Sequence, residues 1–229
     1  MRTIGLIGGM SWESSLEYYR IINETVKEKL GGLHSARSIM YSVDFEEIET
    51  LQYQDNWDEA TKLMIDAAQR LERAGADFVI ICTNTMHKMA DDVQNAIKIP
   101  LLHIADVTAE KIKEQGLQKV GLLGTKFTME QDFYKGRLKT YGIDVIIPDE
   151  AQRQAVHDII YNELCLGMVK EESKKRFREI IENLVSRGAE GIILGCTEIP
   201  LLVKQEDYDI PLFDTTRIHA VTAVEYAIG

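Results

Sequence analysis

Two cysteines, Cys82 and Cys196, occur in closely related settings: each directly follows a short apolar run and opens a polar turn, Cys82-Thr83-Asn84-Thr85 and Cys196-Thr197-Glu198. A thiol where such a turn leads into a helix faces unpaired backbone N–H groups and the positive end of the helix dipole, which lower a cysteine pKa from about 8.5. Thr83 or Asn84 is suited to cap the helix that follows, whose apolar positions Met86, Met89, Ala90, Val93 and Ile97 keep the helical period. A thiolate and a thiol on opposite sides of a carbon acid can take a proton from one face and return one to the other, inverting the centre through a planar carbanion. The charge that develops on a neighbouring carboxylate needs hydrogen-bond donors. Two small-residue loops offer backbone N–H groups for that purpose, Gly8-Gly9-Met10-Ser11-Trp12 and Gly124-Thr125-Lys126-Phe127-Thr128.

The elements that must position these residues read as β-α units. Thr3–Ile7, Phe78–Ile81, Val120–Leu123 and Gly191–Leu194 are near-continuous apolar runs, the pattern of parallel strands covered on both faces. Amphipathic stretches at 58–74 and 171–187 lie between them, with Gly75 and Gly188 as stops. Three landmarks occur twice in the same order. Ile4-Gly5-Leu6-Ile7-Gly8 matches Val120-Gly121-Leu122-Leu123-Gly124, Gly75 to Thr83 matches Gly188 to Thr197, and Ile99-Pro100-Leu101 matches Ile210-Pro211-Leu212, at offsets of 116, 113 to 114, and 111 residues. The sequence therefore predicts an α/β fold of two similar lobes, each a mainly parallel sheet flanked by helices, related by a pseudo-twofold. The expected lobes are 1–99 plus 212–229, and 100–211. Ligands of open α/β sheets bind beyond the carboxyl ends of the strands, so Cys82 and Cys196 are expected to face each other across an interlobe cleft.

Composition narrows the partners. Lys and Arg total 26 against 37 Asp and Glu, a net charge of -11, which argues against nucleic acid or an anionic membrane. No apolar run has a membrane span's length, and the amino terminus enters structure at once, so a cytoplasmic protein is expected. Cys82, Cys165 and Cys196 form no C-x-x-C pair and the five histidines show no ligand spacing, so no disulfide framework and no metal are implied. Cys165 has no counterpart in the repeat and is read as packing. His87 is read as facing solvent or touching a neighbour. The Gly8-Gly9 loop lacks the G-x-G-x-x-G spacing, which makes a dinucleotide site a weak reading.

Along essentially its whole length the chain resembles the aspartate/glutamate racemase family, and within it the branch of broad-specificity bacterial amino-acid racemases. Ile4-Gly5-Leu6-Ile7-Gly8-Gly9-Met10, Cys82-Thr83-Asn84-Thr85 and Gly195-Cys196-Thr197-Glu198 carry the likeness. The resemblance implies an isomerase without pyridoxal phosphate, other cofactor or metal, acting on a small amino acid and commonly homodimeric. It implies Cys82 and Cys196 as the catalytic pair, and substrate contacts at Met10, Ser11, Thr83, Asn84, Thr85, Thr125, Thr197 and Glu198. Where aspartate-specific members carry an arginine and a lysine for the two carboxylates, this chain has Glu49 and Cys165, neither of which binds a carboxylate as a cation would. Nearby Gln52 can hydrogen-bond a side chain, which suits a neutral or mixed substrate. The same scaffold would also serve maleate cis-trans isomerisation, hydantoin racemisation, malonate decarboxylation or non-catalytic binding of an amino acid; two duplicated thiols favour the two-base reactions.

Overall fold

The computed structural model describes all 229 residues, and its chain divides into two units: Met1–Ile104 with His219–Gly229, and Ala105–Ile218. The crossings fall a few residues after the two Ile-Pro-Leu landmarks. The strands are β1 (Ile4–Gly8), β2 (Ser38–Ser42), β3 (Phe78–Ile81), β4 (Lys119–Gly124), β5 (Asp144–Ile146), β6 (Ile192–Gly195) and β7 (Leu212–Asp214), and every pairing is parallel.

The first unit has the order β2-β1-β3, and the bridge between Val79 and Leu101 adds a fourth position beside β3. The second has the order β5-β4-β6-β7. Position by position the two orders agree, as the sequence repeat requires. The agreement extends to single bonds: Val79 N–H donates to Pro100 O and Ile192 N–H to Pro211 O, both at 2.9 Å. Strands β2 and β5 escape the apolar-run criterion. Met40 and Ser42 of β2 are exposed and Asp144 opens β5, because each strand lies at a sheet edge with less helix over it.

In the first unit the two-residue period of the strands sorts the core into two faces. Ile7, Val79 and Ile81 pack with Ala60, Met64, Ala67, Ala68 and Leu71 of helix Trp57–Arg73. Ile4, Leu6, Phe78 and Ile80 pack with Tyr18, Ile21, Ile22 and Val26 of helix Trp12–Leu30, and with Ala220, Ala223, Val224 and Ala227 near the carboxyl terminus. Fully burying an Ile, Leu or Phe side chain stabilises by about 1.5–3 kcal/mol, which is why both faces of β1 and β3 are apolar. Cys82 continues the alternation of Phe78 and Ile80, so its side chain belongs to this second face. No helix of the molecule is long and apolar enough to cross a membrane.

Candidate active site

In the first unit β1 and β3 are adjacent in register, Ile7 opposite Ile81, and Cys82 N–H donates to Ile7 O at 2.9 Å. The loops after these two strands therefore emerge side by side, bringing Met10 and Ser11 to the same sheet end as Cys82, Thr83, Asn84 and Thr85. Gly9 turns the first loop at φ +93°, and a Cβ there would lie 2.7 Å from the Val43 backbone nitrogen, so only glycine fits. Ser11 caps helix Trp12–Leu30 by accepting from Ser14 N–H at 3.3 Å. The next two serines tie the loops together. Ser15 Oγ accepts from Gly9 N–H at 2.7 Å, and Ser14 Oγ donates to the Cys82 carbonyl at 2.7 Å. Gln52, buried on helix Phe45–Tyr53, reaches the same neighbourhood, its Nε2 donating to Met86 Sδ at 3.2 Å.

Two expectations for this turn require correction. A 3-10 helix, Thr85–Met89, follows it, and Asn84 at the cap position makes no side-chain capping bond. The Cys82 thiol is wholly buried, and desolvation pushes its pKa up rather than down, because burial penalises the thiolate more than a short 3-10 turn favours it. His87 is also buried. Its Nδ1 lies 2.7 Å from Thr83 O, and its Nε2 receives Ile104 N–H at 3.2 Å.

In the second unit β4 and β6 end together, Gly124 opposite Gly195, and a Cβ on either glycine would stand 2.9 Å from a backbone oxygen across the pair. This close approach brings Thr125 and Cys196 to one sheet end. Thr125 caps helix Lys126–Glu130, its Oγ1 accepting from Thr128 N–H at 3.4 Å, while Lys126 N–H points to Nδ1 of His157 at 3.3 Å. With Gly9 N–H bonded to Ser15 Oγ and Thr128 N–H to Thr125 Oγ1, two of the donors expected for a substrate carboxylate serve instead to fasten the loops to the helices that follow.

Cys196 Sγ lies 2.9 Å from Glu198 Oε2, and Thr197 Oγ1 donates to the same oxygen at 2.9 Å. Glu198 is buried, so its carboxylate meets the thiol with little water between. The Cys196 pKa is raised well above the ordinary thiol range, first by desolvation, then by the charge of Glu198, with a smaller push from Cys165. Cys196 keeps some surface open, yet enough protein surrounds its sulfur for desolvation to lead. Cys165 therefore belongs to the Cys196 neighbourhood, a relation its place in the repeat does not reveal. Ser14, Ser15 and His157 also escape sequence reasoning, and His87, for which the sequence allows a solvent-facing place, lies buried instead. For Ser15 and His87 the signal is a one-turn spacing into the helices that the loops open, Ser15 four residues after Ser11 and His87 four after Thr83.

Two parallel α/β units of one strand order, each with a cysteine turn directly after a central strand, define the class of fold. The chain belongs to the Asp/Glu/hydantoin racemase family, whose model matches residues 7–223. It is 31% identical over 170 residues, 73% of this chain and 72% of the relative, to the broad-specificity amino-acid racemase RacX of Bacillus subtilis (strain 168). Among solved structures, a Yersinia pestis protein assigned provisionally to the Asp/Glu racemases matches at TM-score 0.95 and 56% identity, with 100% of both chains covered. An aspartate racemase homologue from Pyrococcus horikoshii OT3 matches at TM-score 0.89 and 40% identity, again over 100% of both chains.

Proposed function

We propose that this protein is an amino-acid racemase that uses no cofactor, with Cys82 and Cys196 as its two acid-base groups. One observation carries the reading: a cysteine turn recurs at the equivalent strand end of each unit, after β3 and after β6. One thiolate removes the α-proton, and the other cysteine, as a thiol, delivers a proton to the opposite face; the entering enantiomer decides which plays which part. Both thiols rest protonated, since burial raises both pKa values. For Cys196 the contact with Glu198 supports a route to the thiolate: the proton passes from Sγ to the carboxylate, leaving a thiolate beside a neutral acid. The proposed substrate contacts are Met10, Ser11, Thr83, Asn84, Thr85, Thr125 and Thr197 from the turns after the central strands, with Gln52 from helix Phe45–Tyr53, and a broad or neutral substrate fits Gln52 and Glu49 better than strict aspartate.

The test is incubation in D2O with a panel of L- and D-amino acids and hydantoins, read by chiral chromatography and mass spectrometry. Deuterium at the α-carbon of an amino acid, together with appearance of its antipode, is expected. Cys82→Ser and Cys196→Ser should each slow racemisation by about 10²–10⁴-fold. Wild-type rates in either variant, or turnover of hydantoins alone, would overturn the reading.

A further inference from the structure

His87 makes two hydrogen bonds to backbone groups, and together they fix its chemical state. The Thr83 carbonyl can only accept, so Nδ1 at 2.7 Å carries a proton; the Ile104 N–H can only donate, so Nε2 at 3.2 Å presents its lone pair. His219 is fixed in the opposite tautomer. Its Nε2 donates to Leu102 O at 2.8 Å, and its Nδ1 takes the Tyr18 O–H at 2.9 Å. The rings of His103 and His219 stand edge-on to His87, at 4.6 and 5.6 Å between centroids.

These bonds close a circuit around the Cys82 turn. Ser14, on helix Trp12–Leu30, holds the Cys82 carbonyl, and His87 holds the carbonyl of the next residue, Thr83. Tyr18, one turn along the same helix as Ser14, connects through His219 to Leu102, and Ile104 connects back to His87. Two successive peptide planes beside the sulfur are thus pinned from two sides by groups that are themselves tied together.

We propose that His87, held as its Nδ1–H tautomer, is a positioning residue for Cys82: by anchoring the Thr83 carbonyl to the 102–104 segment it orients the turn that aims the thiol. It never touches substrate. Proton transfer tolerates little misplacement, since an error of about 1 Å can cost 10²-fold in rate. The inference rests on the two-cysteine racemase reading, and its test has one arm that does not.

The variants are His87→Ala, which removes both bonds, His87→Asn, whose amide N–H overlays Nδ1 and restores the bond to Thr83, and His87→Gln, whose oxygen overlays Nε2 and restores only the bond from Ile104. Expected are a kcat lower by about 10–100-fold in His87→Ala with KM within about threefold of wild type, most of that loss recovered in His87→Asn, and little in His87→Gln. Wild-type kcat in His87→Ala, or equal losses in the Ala and Asn variants, would overturn the proposal, as would losses that follow the thermal midpoint. The second arm measures modification of Cys82 by methyl methanethiosulfonate in a Cys165→Ser, Cys196→Ser background. A rate raised at least about fivefold by His87→Ala but not by His87→Asn supports the positioning role even if no amino acid is turned over; equal rates in all three refute it.

Discussion

Cys196 Sγ and Glu198 Oε2 stand 2.9 Å apart, a thiol in hydrogen-bond contact with a buried carboxylate two residues along the chain. The contact has two opposed consequences. A fixed negative charge disfavours the thiolate, yet the same oxygen is the nearest place for the thiol proton to go.

Glu198→Gln separates the two. With the charge removed, the Cys196 pKa falls, though desolvation, the leading cause, keeps it above the ordinary range. Alkylation of Cys196 at pH 8, measured in a Cys82→Ser, Cys165→Ser background, is therefore expected to speed up. Racemisation by Glu198→Gln in the otherwise native chain is expected to slow by about 10²-fold, because an amide cannot accept the proton. Faster alkylation with undiminished kcat would remove Glu198 from the proton route.

Ser14→Ala deletes the hydroxyl that donates to the Cys82 carbonyl at 2.7 Å. A buried carbonyl left without that donor costs about 1–3 kcal/mol, to be read from urea unfolding. Activity is expected to fall with it, since one of the two peptide planes beside the thiol is released. Unchanged kcat at that reduced stability would show that the Cys82 carbonyl bond serves folding alone.

Stability should depend on pH through His219. Burial pushes its pKa down to about 4 from 6.5, outweighing the bond to Leu102 O, which favours the charged ring; only the neutral ring can take the Tyr18 O–H on Nδ1. The unfolded chain takes up this proton below pH 6.5 while the folded chain resists until about pH 4. The contribution is complete above pH 6.5 and is lost as pH falls toward 4, by about 3 kcal/mol in all. Denaturant melts from pH 7.5 to 4.5 should lose that stability progressively. His219→Gln should flatten the dependence, and a parallel decline in wild type and variant would assign it to other groups.

Gly9→Ala meets two obstacles at once, the left-handed backbone at φ +93° and the Val43 backbone 2.7 Å from the new Cβ. A loss of at least about 2 kcal/mol is expected. The Met10-Ser11 loop would shift with it, raising KM. A stable variant with native KM would contradict the close packing of this loop.

The second face of the first unit shows how far local patterns reach. Ile4, Leu6, Phe78 and Ile80 announce buried parallel strands because burial on both faces demands apolar side chains throughout, and the duplicated landmarks announce two units of one topology. The edge strands β2 and β5 stay silent in composition, since strands with less helix over them keep polar residues.

What the sequence determined by itself was the pair of cysteine turns, their equivalent place after central strands and the family to which the chain belongs; these depend on local order along the chain. What only the tertiary structure decided was the state of the groups in those turns. The raised thiol pKa values, the contact of Cys196 with Glu198, and the tautomers of His87 and His219 depend on burial and on partners up to 201 residues away, as Tyr18 is from His219. Desolvation and hydrogen-bond geometry are properties of the folded surroundings, so no local spacing encodes them.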